Sequence, residues 1–269
     1  MKKKRLIPVL LLKNGWLVQS VNFKFFKPLG NPIWAVKRLS EWASDELIYL
    51  DISRDDTYDL RRDDLKDPNR HTLFEILEDV SKFTFMPITV GGKIKNLKDI
   101  EARLLRGADK ISINTKALQD KKFISKAAKE FGSQCIVISI DVKKINGKYL
   151  VMTENGTTPT QYEVIEWTKI VEDQGAGEIL LNSIDRDGTK EGYDIPLLSQ
   201  VADCVKIPVI ALGGAGEWEH FAEAFDKTKV DAVAAANIFQ HMDQSVYLAK
   251  KYLHDNNYNV RAPDLLLIT

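Results

Sequence analysis

The chain has 269 residues, 44% hydrophobic and 28% charged, with 38 Lys plus Arg balancing 38 Asp plus Glu. A formal net charge of zero gives no field for nucleic acid or an anionic membrane surface, so neither is expected as a partner. Cys135 and Cys204 read as buried reduced thiols, and His71, His220, His241 and His254 lack metal-ligand spacing, so neither a metal nor a cofactor is expected.

The basic start at Lys2–Arg5 runs into an apolar stretch that carries Pro8 and stops at Lys13-Asn14-Gly15 with no small-residue cleavage site. It reads as a first strand, not a secretory signal, and a cytoplasmic chain is expected. Strands are predicted at 5–12, 46–52, 86–90, 109–113, 135–141, 178–183, 207–212 and 230–235. Amphipathic helices alternate with them near 33–43, 72–83, 97–106, 121–131, 162–174, 195–203, 217–225 and 244–254. Continuous apolar strands separated by helices argue for a parallel sheet covered by helices, and eight such units argue for a closed barrel. The length is close to the roughly 250 residues of a (βα)8 TIM barrel. No linker interrupts the chain, so a single domain over 1–269 is expected. Residues 13–31 and 53–71 read as long connections at the C-terminal face of the strands, and a hairpin is predicted near 144–153, turning at Asn146-Gly147.

The sequence repeats itself once. Val90-Gly91-Gly92, a helix and then Asp109–Thr115 recur as Leu212-Gly213-Gly214, a helix and Asp231–Asn237. Glu46–Asp55 likewise matches Glu178–Asp187 without a gap, and Leu10–Lys13 matches Ile140–Lys143. Strands one to four therefore correspond to five to eight, as in a duplicated half-barrel.

Each Gly-Gly ends a strand, where backbone N–H groups can converge on an anion without interference from a Cβ. Gly91, Gly92, Asn114 and Thr115 in the first half, and Gly213, Gly214, Ala236 and Asn237 in the second, form two candidate phosphate grips. Plain strand-to-helix turns are the alternative; the duplication favours phosphate, and a phosphorylated small molecule is the expected ligand. Asp141 ends strand five, where it suits general acid/base work. Its symmetry partner is Leu11, which moves no proton. Asp51, Asn182, Ser183 and Asp187 are further candidates for ligand contact at the same face, although the Asp/Gly-rich segment at Asp187 also suits simple turn chemistry. At the opposite end, Arg5, Glu46, Lys110 and Glu178 lie at strand starts and would form a ring if they point inward. That ring reads either as a salt-bridged plug or as a gate for a small molecule.

The stretches Arg5–Leu10, Val21–Phe23, Asp45–Ile52, Arg106–Thr115, Phe131–Gln134, Gly175–Leu181, Ser183–Lys190, Gly213–Gly216 and Asn259–Arg261 together resemble the cyclase (synthase) subunit of imidazole glycerol phosphate synthase. They cover nearly the whole chain. The resemblance implies a duplicated barrel that binds a glutaminase subunit as a heterodimer at its bottom face. Ammonia then passes through the core to a ribulosyl-phosphate aminoimidazole precursor with a phosphate at each end. By the same resemblance, Arg5, Glu46, Lys110 and Glu178 are an ammonia gate, and Asp109, Gln134 and Arg261 serve glutaminase docking. Asp141 matches one of the family's two catalytic aspartates, and Leu11 stands at the other. Gln19 stands where a mobile-loop lysine is usual, and Lys93 replaces a third glycine.

These departures resemble the divergent copies found with bacterial surface-polysaccharide genes, thought to supply ammonia to a separate sugar amidotransferase. Ammonia supply for sugar amidation is therefore the leading expectation, with an active cyclase of histidine biosynthesis as the alternative. A non-catalytic module that activates a glutaminase is a third reading, and a related isomerase of the same fold a weaker one.

Overall fold

The computed structural model describes residues 2–58, 70–240 and 245–263. In chain order its strands are β1 (Arg5–Lys13), β2 (Trp16–Val21), β3 (Phe25–Gly30), β4 (Leu47–Asp51), β5 (Ile88–Gly91), β6 (Lys110–Ile113), β7 (Ile136–Ile145), β8 (Lys148–Thr153), β9 (Thr158–Glu163), β10 (Glu178–Ser183), β11 (Val209–Leu212) and β12 (Ala232–Ala235). Strands β1, β4, β5, β6, β7, β10, β11 and β12 pair in that order, all parallel, and β12 closes on β1. The helices are α1 (Pro32–Glu41), α2 (Leu73–Val80), α3 (Leu97–Leu104), α4 (Thr115–Gln119), α5 (Lys122–Phe131), α6 (Val164–Asp173), α7 (Ile195–Cys204), α8 (Trp218–Lys227) and α9 (Val246–Asp255). The expected eight-stranded parallel barrel is therefore the fold.

Alternation along the strands divides the core in two. Ile7, Val9, Ile48, Val137, Leu180, Ile210 and Leu212 form one cluster with Ala232 and Ala234. Their strand neighbours Leu6, Leu10, Leu47 and Tyr49 join the larger cluster that includes the helix residues Val36, Leu39, Ile76 and Ile124. Period-two alternation in a closed sheet requires this split: one set fills the barrel and the other lies under the helices. Each fully buried Leu or Ile contributes about 2 kcal/mol of apolar transfer. Local signals fix the helix ends. Asn31 caps α1 ahead of Pro32, Asn96 and Asp99 form a capping box on α3, and Gly132 at φ +91° ends α5.

The duplication extends to details. Asp109 Oδ2 accepts the N–H of Ile88 at 2.8 Å, and its repeat equivalent Asp231 accepts that of Val209 at 3.2 Å. Asp45 does the same for Leu6 at 2.9 Å. The expected hairpin turns at Asn146 and Gly147, with φ of +49° and +80°. An unexpected one turns at Asn14 and Gly15, with φ of +50° and +78°. Both fit the left-handed turn that Asn-Gly favours.

Residues 13–31 are thus not an open loop: β2 and β3 extend β1 as an antiparallel meander. Strand β9 and the five-residue α4 were also unforeseen. Most of the second predicted connection (59–69), the first residue of the last predicted helix (244) and His241 lie outside the described residues. No helix among the described residues is long and apolar enough to cross a membrane.

Candidate active site and charge ring

Asp141 sits on β7 with 8% exposure, beside Asn182 on β10 in the strand register. Asn114 Nδ2 donates to its Oδ2 at 2.7 Å, and Asn182 Nδ2 donates to its Oδ1 at 3.1 Å. Burial pushes the carboxyl up to about 6, even though both amide bonds favour the charged form. The negative charge of Asp187 raises it further. Such a group is mostly ionised at neutral pH yet close enough to titration to exchange a proton, which suits a general acid/base. The donors fix the amide orientations: both Asn114 Oδ1 and Asn182 Oδ1 are buried with no partner among the described residues. Each is an acceptor awaiting an N–H or O–H. Asn114, a candidate for the first-half phosphate grip, precedes α4 without a side-chain cap bond to it and donates its amide nitrogen to Asp141.

The first half offers nothing equivalent. Leu11 and Leu50 occupy the matching register positions on β1 and β4, and both pack against the barrel-filling apolar cluster.

The two Gly-Gly turns are closely built. A Cβ on Gly92 would stand 2.1 Å from Asp51 O, and one on Gly214 would stand 2.1 Å from Gly192 O. Both glycines have φ near +107°, so no other residue fits. Gly213, Gly214, Ala236 and Asn237 line a cleft with Gln19, Asp187 and Lys190. Lys190 escaped the sequence reading, although it ends a stretch quoted for the family resemblance. Asn237 Nδ2 donates to Ser20 O at 2.8 Å, which ties the grip to β2.

At the first-half turn, Arg103 Nη2 donates to Gly92 O at 2.8 Å. Thr115 Oγ1 faces Thr153 Oγ1 at 3.5 Å. Asp51, a candidate for ligand contact, is occupied internally. It accepts from Ser53 and from Tyr58 Oη (2.9 Å), and Lys93 Nζ lies 3.2 Å from its Oδ2. Lys93 takes the φ of +56° that a glycine would otherwise supply.

Asp187 holds the returning hairpin. Its Oδ2 accepts from Ser20 Oγ at 2.8 Å and from Phe23 N at 3.2 Å, and its backbone oxygen accepts from Asn22 N at 3.0 Å. Burial raises its pKa. It also lines the cleft at Gly213-Gly214, so bracing the loop and facing a ligand are both within its reach. Ser183 is buried at the end of β10, beside the Gly213 turn.

At the other end of the strands the four charged residues do form a closed ring. Arg5 Nη1 lies 2.6 Å from Glu46 Oε1 and 2.8 Å from Glu178 Oε1. Lys110 Nζ lies 3.1 Å from Glu46 Oε2 and 2.9 Å from Glu178 Oε2. Each carboxylate bridges both cations. Burial works against the Arg5 charge, but Glu178 and Glu46 hold its pKa above the ordinary value. On the same side, Arg261 bonds Asp45 Oδ1 at 3.2 Å together with the carbonyls of Ala43 and Ser44. Gln134 lies against Gly132, and Asp109 binds the start of β5. Asp109, Gln134 and Arg261 thus share the face that carries the ring. Among the described residues no group of three or more His, Cys, Asp or Glu side chains is placed to hold a metal ion.

Comparison with known proteins places these features in a family. Residues 5–245 match the model of the family described as "Histidine biosynthesis protein". Over 261 residues, 97% of this chain and the full length of the relative, the chain is 45% identical to the imidazole glycerol phosphate synthase subunit HisF of Chlorobaculum parvum. At the same coverage it is 42% identical to the proteins of that name from Chlorobium phaeovibrioides and Saccharolobus solfataricus.

Proposed function

The chain belongs to the histidine biosynthesis protein family, and we propose that it acts, as a single domain, as the barrel subunit of an imidazole glycerol phosphate synthase. In this reading a glutaminase subunit docks as a heterodimer on the face bearing Asp109, Gln134 and Arg261. Ammonia enters past the Arg5–Glu46–Lys110–Glu178 ring and meets a phosphorylated precursor at the opposite mouth. The observation that carries the reading is the buried Asp141 held between two amide donors at that mouth. Asp141 moves protons during ammonia addition and ring closure. Asn114 and Asn182 orient it and present their free carbonyl oxygens to donor groups of the substrate. The names of full-length relatives support this reading over ammonia supply for sugar amidation, which the sequence alone had put first.

One observation favours the second reading. Leu11 faces Leu50 where a second carboxylate would be needed, and losing one member of an acid/base pair costs on the order of a hundredfold in rate. A barrel that passes ammonia to a separate sugar amidotransferase would tolerate that loss. Supplying the ribulosyl precursor with ammonium salt at pH 8 separates the two. Formation of imidazole glycerol phosphate at rates typical of the family supports the synthase. Its absence, with the chain still accelerating ammonia release by its glutaminase, excludes the synthase and leaves ammonia supply to another enzyme or simple activation of the glutaminase.

A further inference from the structure

The same peptide plane is pinned in both halves of the barrel, by different donors. In the second half, Gly192 N donates to Gly214 O at 2.9 Å. In the first half, the matching Gly92 O accepts from Arg103 Nη2 at 2.8 Å. Phe225 stands in the repeat position of Arg103, so the guanidinium is not part of the duplicated pattern. It supplies from a side chain what the second half draws from its backbone.

Arg103 is held firmly enough to fix that carbonyl. It lies on α3 with only 4% of its surface exposed, and its Nη1 donates to Asp99 O at 2.7 Å, one helical turn back. The guanidinium stands 5.5 Å from the centre of the Phe74 ring on α2. The two Nη groups thus bridge helix and turn, a span that suits the rigid fork of arginine. Both bonds go to carbonyl oxygens, so they do not cancel its positive charge, whereas the Lys93 ammonium is paired with Asp51 at 3.2 Å.

The consequence lies on the other edge of the peptide. In a planar trans peptide the N–H points opposite to the C=O. With Gly92 O drawn outward to the helix layer, the Lys93 N–H is turned away from α3 and toward the mouth of the barrel. With Gly214 O bound by Gly192, the Ala215 N–H is turned away from Gly192, and Ala215 lines the cleft at Gly213-Gly214. Neither of these two N–H groups hydrogen-bonds to another described residue.

We propose that Arg103 is a positioning residue of the first-half grip: it fixes the Gly92–Lys93 peptide so that the Lys93 N–H, not the Lys93 side chain, is the donor offered to a phosphoryl oxygen. The inference rests on the reading of both Gly-Gly turns as phosphate grips of the synthase. It also accounts for a lysine where the second half has Ala215. Only the backbone is used at that position, so the side chain can serve Asp51 without loss to the grip.

The test follows the Lys93 and Ala215 amide resonances of the purified chain by NMR during titration with inorganic phosphate at low ionic strength. Both are expected to shift in the unaltered chain. In Arg103→Met, which keeps an extended side chain without its donors, the apparent dissociation constant at Lys93 should rise about tenfold or more, while that at Ala215 stays unchanged. Ala215 thus reports from the same sample that the barrel is folded. Arg103→Lys keeps the charge without the fork, and its Lys93 response should fall between the other two; it carries the comparison if the methionine variant does not fold. A Lys93 response equal to that of the unaltered chain in Arg103→Met, or in Arg103→Lys where that variant stands alone, would overturn the inference and leave the phosphate-grip reading intact. So would a response at Ala215 with none at Lys93 in the unaltered chain. No response at either amide would overturn both.

Discussion

Leu11 on β1 lies opposite Leu50 on β4, in the register at which Asp141 on β7 lies opposite Asn182 on β10. The first half-barrel thus presents an apolar pair where the second presents a carboxylate and its donor. Leu11→Asp alone puts a carboxyl beside Leu50 with no amide to bind it, at an expected cost of about 1–3 kcal/mol. Adding Leu50→Asn rebuilds the polar pair and should recover about 1 kcal/mol. Urea denaturation of the two variants checks this order. If the synthase reading holds, the double variant should also close the imidazole ring faster than the unaltered chain.

Asp141 gives stability a pH dependence of known sign. The folded carboxyl keeps its proton up to about pH 6, whereas the ordinary value, taken for the unfolded group, is 3.8. The unfolded chain therefore releases this proton first, and the contribution falls as pH rises through that window, by up to about 3 kcal/mol. Asp141→Asn removes the titration. Its stability relative to the unaltered chain should increase between pH 4 and pH 7, whatever constant offset the amide introduces. Denaturation midpoints that move in parallel over this range would contradict the assignment.

The charge ring should respond more to imbalance than to loss. Lys110→Met leaves Arg5 alone with two carboxylates and is expected to cost about 3 kcal/mol. Adding Glu46→Gln restores a one-to-one pairing of Arg5 with Glu178 and should return part of that cost, a coupling that a double-mutant cycle measures directly.

Ser20→Ala removes one of the bonds by which Asp187 holds the β2–β3 turn. The amides of Asn22 and Phe23, which donate to Asp187, should exchange with solvent about tenfold faster, equivalent to about 1.4 kcal/mol. Amides of β7 and β10 should be unaffected. The Asp187 carboxyl, already raised by burial, should titrate higher still.

The barrel was legible because apolar continuity and the Gly-Gly repeat are local, periodic signals. The β2–β3 extension was missed although Asn14-Gly15 is the same dipeptide that revealed the hairpin at Asn146-Gly147. What differed was the flanking pattern: β3 carries Phe25 at 72% exposure and Leu29 at 36%, so apolar residues do not mark a buried face. Candidate site residues were found where strand ends determine direction, as for Asp141 and the four residues of the ring. Occupancy was not legible. That Asn114 serves Asp141, and that Lys93 is held by Asp51, depends on side-chain contacts up to 42 positions apart.

The ring of Arg5, Glu46, Lys110 and Glu178 also has a property that belongs to none of its members. Positive and negative charges alternate around it, so it carries neither net charge nor a substantial dipole. The leading moment of such an arrangement is a quadrupole, whose potential dies away faster with distance than that of a lone ion. The ring itself therefore neither attracts nor repels an approaching molecule until it is nearly in contact. Selection there is set by the work of parting two salt bridges, and it should be almost indifferent to ionic strength.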